Sequence, residues 1–134
     1  MDTFIVLVQG TWAFLTYLFP IPLVLAAVCV WSLAGKPPEG VSRSRLFYLG
    51  CLPLFATPVA LLVFGAVFNC GAGQPIVAPH FIYGLLLCHI PLTVLLLSKW
   101  GDAAFAVLAF AALSLYVALC TAIVAWMAVT GDWL

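Results

Sequence analysis

The hydrophobic positions of this chain are grouped into four long runs, and the charged positions fall outside them. The runs cover residues 4–34, 46–69, 80–98 and 103–129, and none contains an aspartate, glutamate, lysine or arginine. A helix needs about 20 consecutive apolar residues to cross the hydrocarbon core of a bilayer. The pattern therefore predicts an all-α membrane protein with four transmembrane helices, and a single integral membrane domain over residues 1–134.

The first run is too long for one span. As a single helix it would measure about 46 Å, whereas the hydrocarbon core is about 30 Å thick. We therefore expect residues 4–11 to lie at the membrane interface and residues 12–34 to span. Pro20 and Pro22 predict a kink in that span, because each proline removes a backbone donor and crowds the carbonyl four residues before it. The second and third spans also contain prolines: Pro53, Pro58 and Pro91.

The connections predict how the spans are arranged and oriented. Residues 99–102 join the last two spans so tightly that these must be antiparallel neighbours, as in an up-down bundle. All basic residues lie in the connections after the first and third spans: Lys36, Arg43, Arg45 and Lys99. The positive-inside rule places this side in the cytoplasm and both termini outside, in a multi-pass protein of the inner cell membrane. The four basic side chains are predicted to anchor this topology, and they could also bind the phosphates of anionic lipids.

Composition narrows the classes of function. The chain is 67% hydrophobic and only 6% charged, with a net charge of zero. A net charge of zero gives no basic surface for nucleic acid. The expected partners are membrane lipids and either further copies of this chain, in a homo-oligomer, or other membrane subunits. The five cysteines form no C-x-x-C pair, and the sequence contains no Gly-x-Ser-x-Gly motif or carboxylate pair. We therefore predict no metal site, no cofactor and no enzymatic activity.

One ionisable residue lies in the middle of an apolar span. If the third span begins at His80, His89 lies about 13 Å deeper, near the bilayer midplane, and Thr93 shares its helical face. Such a residue is expected to face protein or a cavity, and it suggests a functional site. The candidate hydrogen-bond partners of His89 on other spans are Thr16, Tyr17, Thr57, Ser114 and Tyr116.

Three interpretations of His89 are open from the sequence. The imidazole could hold helices together, line a pore or proton path in an oligomer, or ligate a haem iron. A haem held by two histidines needs both imidazoles at one depth. His80 and His89 lie nine residues apart on one helix, so they cannot bind one iron together.

The fourth span carries a stripe of mostly small residues at heptad spacing, which we call the small-residue seam. Its members are Ala104, Val107, Ala111, Ser114, Ala118, Thr121, Ala125 and Ala128. Small residues let helix backbones approach closely in lipid. The sequence leaves open whether the seam packs within the chain or against another subunit.

Two functions remain compatible with these features. The first is a homo-oligomeric pore, channel or membrane effector, and the second is an accessory or anchor subunit of a larger membrane complex, such as a redox complex. The sequence favours the first, because the small-residue seam and His89 could both serve a repeated interface.

Overall fold

The computed structural model describes residues 2–18, 20–35, 40, 42–68 and 78–131. The described backbone is almost entirely helical, and no strand occurs in it. Three helical stretches are long and apolar enough to cross a membrane: Arg43–Val67, His80–Lys99 and Gly101–Thr130. A bent pair of helices near the N-terminus would make a fourth span if it is counted as one. The expectation of an all-α chain with helices that are long and apolar enough to cross a membrane is thereby confirmed.

The N-terminal region forms two helices, α1 (Asp2–Tyr17) and α2 (Ile21–Ala34). They meet at an angle of 88°. This differs from the single kinked helix expected over residues 12–34. Pro20 immediately precedes α2 and Pro22 lies in its first turn. The first N–H groups of a helix have no intrahelical acceptor, so these prolines are accommodated at the start of a new helix.

The second span stays continuous through a change of helix type. It consists of α3 (Arg43–Leu46), a π-helical turn (Phe47–Cys51), a 3₁₀ turn (Leu52–Phe55) and α4 (Ala56–Val67). Pro53 in the 3₁₀ turn cannot donate to a carbonyl four residues earlier. The chain shifts its hydrogen-bond register around this proline, since Leu52 donates to Phe47 and Ala56 donates to Pro53.

The third span contains a break, whereas the fourth is uninterrupted. Helices α5 (Ala78–Leu87) and α6 (His89–Lys99) are separated at Cys88, three residues before Pro91. Helix α7 (Ala104–Thr130) follows a 3₁₀ turn and ends at Gly131, whose φ of 78° suits a left-handed cap.

Helix α7 is the centre of the bundle, and it contacts α1, α2, α4, α5 and α6. Every member of the small-residue seam is buried except Ala104, which is half-buried. The opposite face of α7 exposes large side chains: Phe105, Leu108, Leu115 and Leu119. The small-residue seam therefore packs within a single chain.

Helices α4 and α7 approach each other closely at Gly65. A Cβ atom added at Gly65 would lie 3.0 Å from the Cβ and 3.1 Å from the Cα of Ala125. We expect Gly65→Ala to lower the free energy of unfolding by about 1–3 kcal/mol, because a backbone atom cannot move aside as a side chain can. Unfolding of the full chain in mild detergent, titrated with dodecyl sulfate and followed by circular dichroism, measures this change.

Gly84 in α5 provides a matched control. An added Cβ there would meet no atom within 4 Å. Gly84→Ala should therefore leave the stability unchanged or raise it by up to about 1 kcal/mol, through the higher helix propensity of alanine. An equal response of the two variants would contradict the close approach of α4 and α7.

Candidate functional site

The structure places His89 inside the bundle, between α4 and α7, with 3% of its surface exposed. Its Nδ1 atom lies 3.4 Å from the hydroxyl of Thr57 on α4. Its Nε2 atom lies 3.1 Å from the carbonyl oxygen of Ala111 and 3.2 Å from the hydroxyl of Ser114, both on α7. One imidazole on α6 is thus bonded to two neighbouring helices.

The partners determine which ring nitrogen carries the proton in a neutral imidazole. The carbonyl of Ala111 can only accept, so Nε2 is assigned as the donor, and Nδ1 accepts from the hydroxyl of Thr57. Ser114 donates its own hydroxyl proton to the carbonyl of Ala111 at 3.1 Å, which leaves its oxygen free to accept from Nε2. Every polar atom of the ring is satisfied inside the protein, so the network is closed.

Two of the candidate partners of His89 contact the ring, and three do not. Thr57 and Ser114 form the bonds described above. The hydroxyl of Thr16 donates to carbonyls of its own helix, and Tyr17 is 87% exposed. No hydrogen bond joins Tyr116 to the imidazole in the described part of the chain.

Thr93 shares the helix of His89 but not its network. The hydroxyl of Thr93 donates to the backbone carbonyl of His89 at 2.8 Å, within α6. The polar cluster therefore consists of His89, Thr57, Ser114 and the carbonyl of Ala111. This carbonyl could not be predicted as a partner, because every residue of a helix has a carbonyl and only the packing decides which of them a side chain can reach.

The described basic residues share one end of the bundle. Arg43 donates to the carbonyls of Ala34 and Gly35, at 3.1 and 3.2 Å, and so binds the C-terminal end of α2. The ammonium of Lys99 lies 5.9 Å from the centre of the Trp100 ring. Arg45 is exposed at the start of the second span. Lys36, the fourth predicted anchor, lies outside the described residues.

Four grooves on the outer surface are lined almost wholly by apolar side chains. The groove between α5 and α7 has a volume of about 330 Å³, and its lining includes Tyr83 and Trp126. The centroids of these two rings lie 5.6 Å apart, so the rings are in contact. His89 lines none of these four grooves. The network is therefore separated from the four grooves on the surface of the bundle.

No protein-family model, curated protein or solved structure matches this chain. Its class follows from its own helices and composition, which indicate a helical membrane protein with three or four spans.

The network at His89 makes a quantitative prediction about stability. We expect His89→Leu to lower the free energy of unfolding by less than about 2 kcal/mol, because hydrogen bonds between membrane helices average about 0.6 and reach about 1.7 kcal/mol. A double-mutant cycle with Thr57→Val should give a coupling energy in that same range. Both quantities are measured by dodecyl sulfate titration of the purified variants.

Thr93→Val is the control for this cycle. Its hydroxyl bonds a backbone carbonyl and not the imidazole. The cycle of His89→Leu with Thr93→Val should therefore give a coupling energy near zero. A coupling with Thr93 as large as that with Thr57 would contradict the assigned network.

Proposed function

We propose that this chain is a subunit of an assembly in the inner cell membrane, with its four spans in an up-down bundle and no enzymatic activity of its own. The polar network at His89 and the small-residue seam are both engaged inside a single chain, so neither can form the repeated interface that the sequence favoured. A neighbouring subunit must therefore contact the outer helix surface, and the observation that supports the proposal most directly is the set of large exposed side chains on α1.

The surface of α1 supports this proposal further. Leu7 and Thr11 bury this helix against the bundle, whereas much of its remaining surface is exposed. The large exposed side chains of α1 are Phe4, Ile5, Val6, Val8, Trp12 and Tyr17. We infer that the outward face of α1 is an assembly surface, and we favour copies of this chain as the neighbours. Other membrane subunits are the alternative.

A proposed orientation accompanies this function. Arg43, Arg45 and Lys99 lie at one end of the bundle, and the positive-inside rule assigns that end to the cytoplasm. An alkaline phosphatase reporter fused after Leu134 should then be active outside, and an impermeant maleimide applied to intact cells should label Cys70. Cys51 is fully buried and should remain unlabelled as the internal control. A cytoplasmic reporter would contradict this orientation.

The mass of the protein extracted from membranes tests the proposed assembly. The full chain should be extracted from membranes with a styrene–maleic acid copolymer, which retains surrounding lipid, and weighed by native mass spectrometry. We expect protein masses that are multiples of the 14.4 kDa chain. Other polypeptides in constant ratio would instead identify an accessory subunit, and a monomer at every expression level would contradict the proposal.

The pore form of the proposal needs a separate measurement. Conductance across planar bilayers that contain the purified oligomer would support a pore built from the outer surfaces of several copies. An oligomer without conductance would leave a role in assembly alone.

A further inference from the structure

The described basic residues lie at one end of the bundle, where three parts of the chain pack together. Leu46 of the second span, Ala103 in the 3₁₀ turn and Ala106 of α7 form a buried apolar cluster. Leu33 of α2 and Trp100 pack against this cluster. The last turn of α2, the start of the second span and the connection between α6 and α7 therefore meet at this end.

This packing brings Arg45 and Lys99 to the two sides of one contact. Arg45 directly precedes Leu46 in the sequence, and Lys99 directly precedes Trp100. A Cβ atom added at Gly50 would lie 3.3 Å both from Cδ1 of Leu46 and from Nε1 of Trp100. Leu46 and Trp100 thus cover the same glycine. Both basic side chains are exposed, so two cations are presented next to this contact.

Arg43 adds a third cation, two residues before Arg45. One terminal nitrogen of its guanidinium donates to the carbonyls of Ala34 and Gly35, at 3.1 and 3.2 Å. This holds the guanidinium at the end of α2, and its other N–H groups bond no residue that the structure describes. We call Arg43, Arg45 and Lys99 together the basic end.

Acidic residues do not neutralise the basic end. Asp102 is exposed in the adjacent 3₁₀ turn, and it forms no ion pair with any described residue. Lys36 and Glu39 lie outside the described residues and add one charge of each sign. An excess of positive charge therefore remains at this end of the bundle wherever these two residues lie.

The position of these charges along the helices indicates which anion they meet. Arg43 is the first residue of one stretch that is apolar and long enough to cross a membrane, and Lys99 is the last residue of another. The ends of membrane-spanning helices lie among the lipid headgroups, where basic side chains attract anionic lipids. A guanidinium matches the oxygens of a phosphate in two parallel hydrogen bonds, and an ammonium adds a point charge.

We propose that the basic end binds the headgroup phosphate of an anionic phospholipid, held between Arg45 and Lys99 with Arg43 beside them. An anionic lipid such as phosphatidylglycerol complements the excess of positive charge. Phosphatidylcholine also has a phosphate, but the cation in its own headgroup neutralises it. The site is built by a single chain, so it does not depend on the proposed assembly or on the proposed orientation.

Native mass spectrometry of the full chain in detergent micelles tests this site. The protein is titrated with phosphatidylglycerol and, separately, with phosphatidylcholine of the same acyl chains. A basic residue near an anionic membrane surface contributes about 5-fold in affinity. We therefore expect the first phosphatidylglycerol to bind about 25-fold more tightly than phosphatidylcholine through Arg45 and Lys99. Arg45→Gln and Lys99→Gln should each reduce this preference about 5-fold.

Two variants control this measurement. Arg45→Lys keeps the charge and should retain most of the preference. Ser98→Ala changes an exposed residue next to Lys99, but its hydroxyl already donates to the carbonyl of Leu95 at 2.8 Å, so the preference should be unchanged. An equal loss in Ser98→Ala and Lys99→Gln would overturn the site. The helicity of all variants, followed by circular dichroism, should stay the same because these side chains are exposed.

Competition with inorganic phosphate separates a lipid headgroup from free phosphate. An excess of inorganic phosphate should leave phosphatidylglycerol bound, because the acyl chains hold the lipid at the helix surface. Displacement of the lipid by inorganic phosphate would overturn the lipid site and identify a site for free phosphate. Equal affinity for the two lipids would also overturn it.

The same spectra separate this inference from the proposed assembly, because lipid binding is measured for each oligomeric state by itself. A preference for phosphatidylglycerol in a chain that stays monomeric would support the lipid site and contradict the assembly. An oligomer without the preference would contradict the lipid site alone.

Discussion

The absence of water in the hydrocarbon core is the constraint on which the rest of this structure depends. A polar group there must find its partner in protein, and packing rather than hydrophobicity must hold the helices together. Helix α7 provides both the polar partners and the close packing. Its small residues let α4 approach until Gly65 touches Ala125. The small side chain of Ala111 also leaves its carbonyl within reach of His89, so the same surface provides close packing and hydrogen bonding.

The prolines show the same constraint acting on the backbone. Each one removes a donor, and the chain compensates according to the position of the proline. Pro22 lies in the first turn of α2, and Pro58 in the first turn of α4, where intrahelical acceptors are missing in any helix. Around Pro53, a π-helical turn followed by a 3₁₀ turn changes the pairing of backbone donors and acceptors, so that no N–H group is needed from the proline. Pro91 follows the break at Cys88 that separates α5 from α6. The backbone thus changes its hydrogen-bond register where it can and begins a new helix where it cannot.

Features that depend on the type of residue could be predicted from the sequence, whereas features that depend on geometry between helices could not. The long apolar runs predicted helical spans, and the cost of exposing an imidazole to lipid predicted that His89 would need partners such as Thr57 and Ser114. The 88° turn between α1 and α2 was not predicted, because a proline is compatible both with a kink and with a new helix start. The sequence also did not determine which helix packs on the small-residue seam. Small residues allow close packing equally well with a helix of the same chain and with a helix of another chain.

His89 and Gln9 are polar residues in different environments. The bonds of His89 are completed by α4 and α7 of the same chain, so this residue stabilises the subunit and is isolated from its surface. Gln9 is exposed on α1, whose opposite side packs against the bundle, and its amide is bonded to none of the residues that the structure describes. A polar group whose bonds are completed inside one chain contributes to the fold and has no capacity left for a neighbour. The buried histidine therefore belongs to the architecture of the subunit, and a contact with another molecule must use the outer helix surfaces.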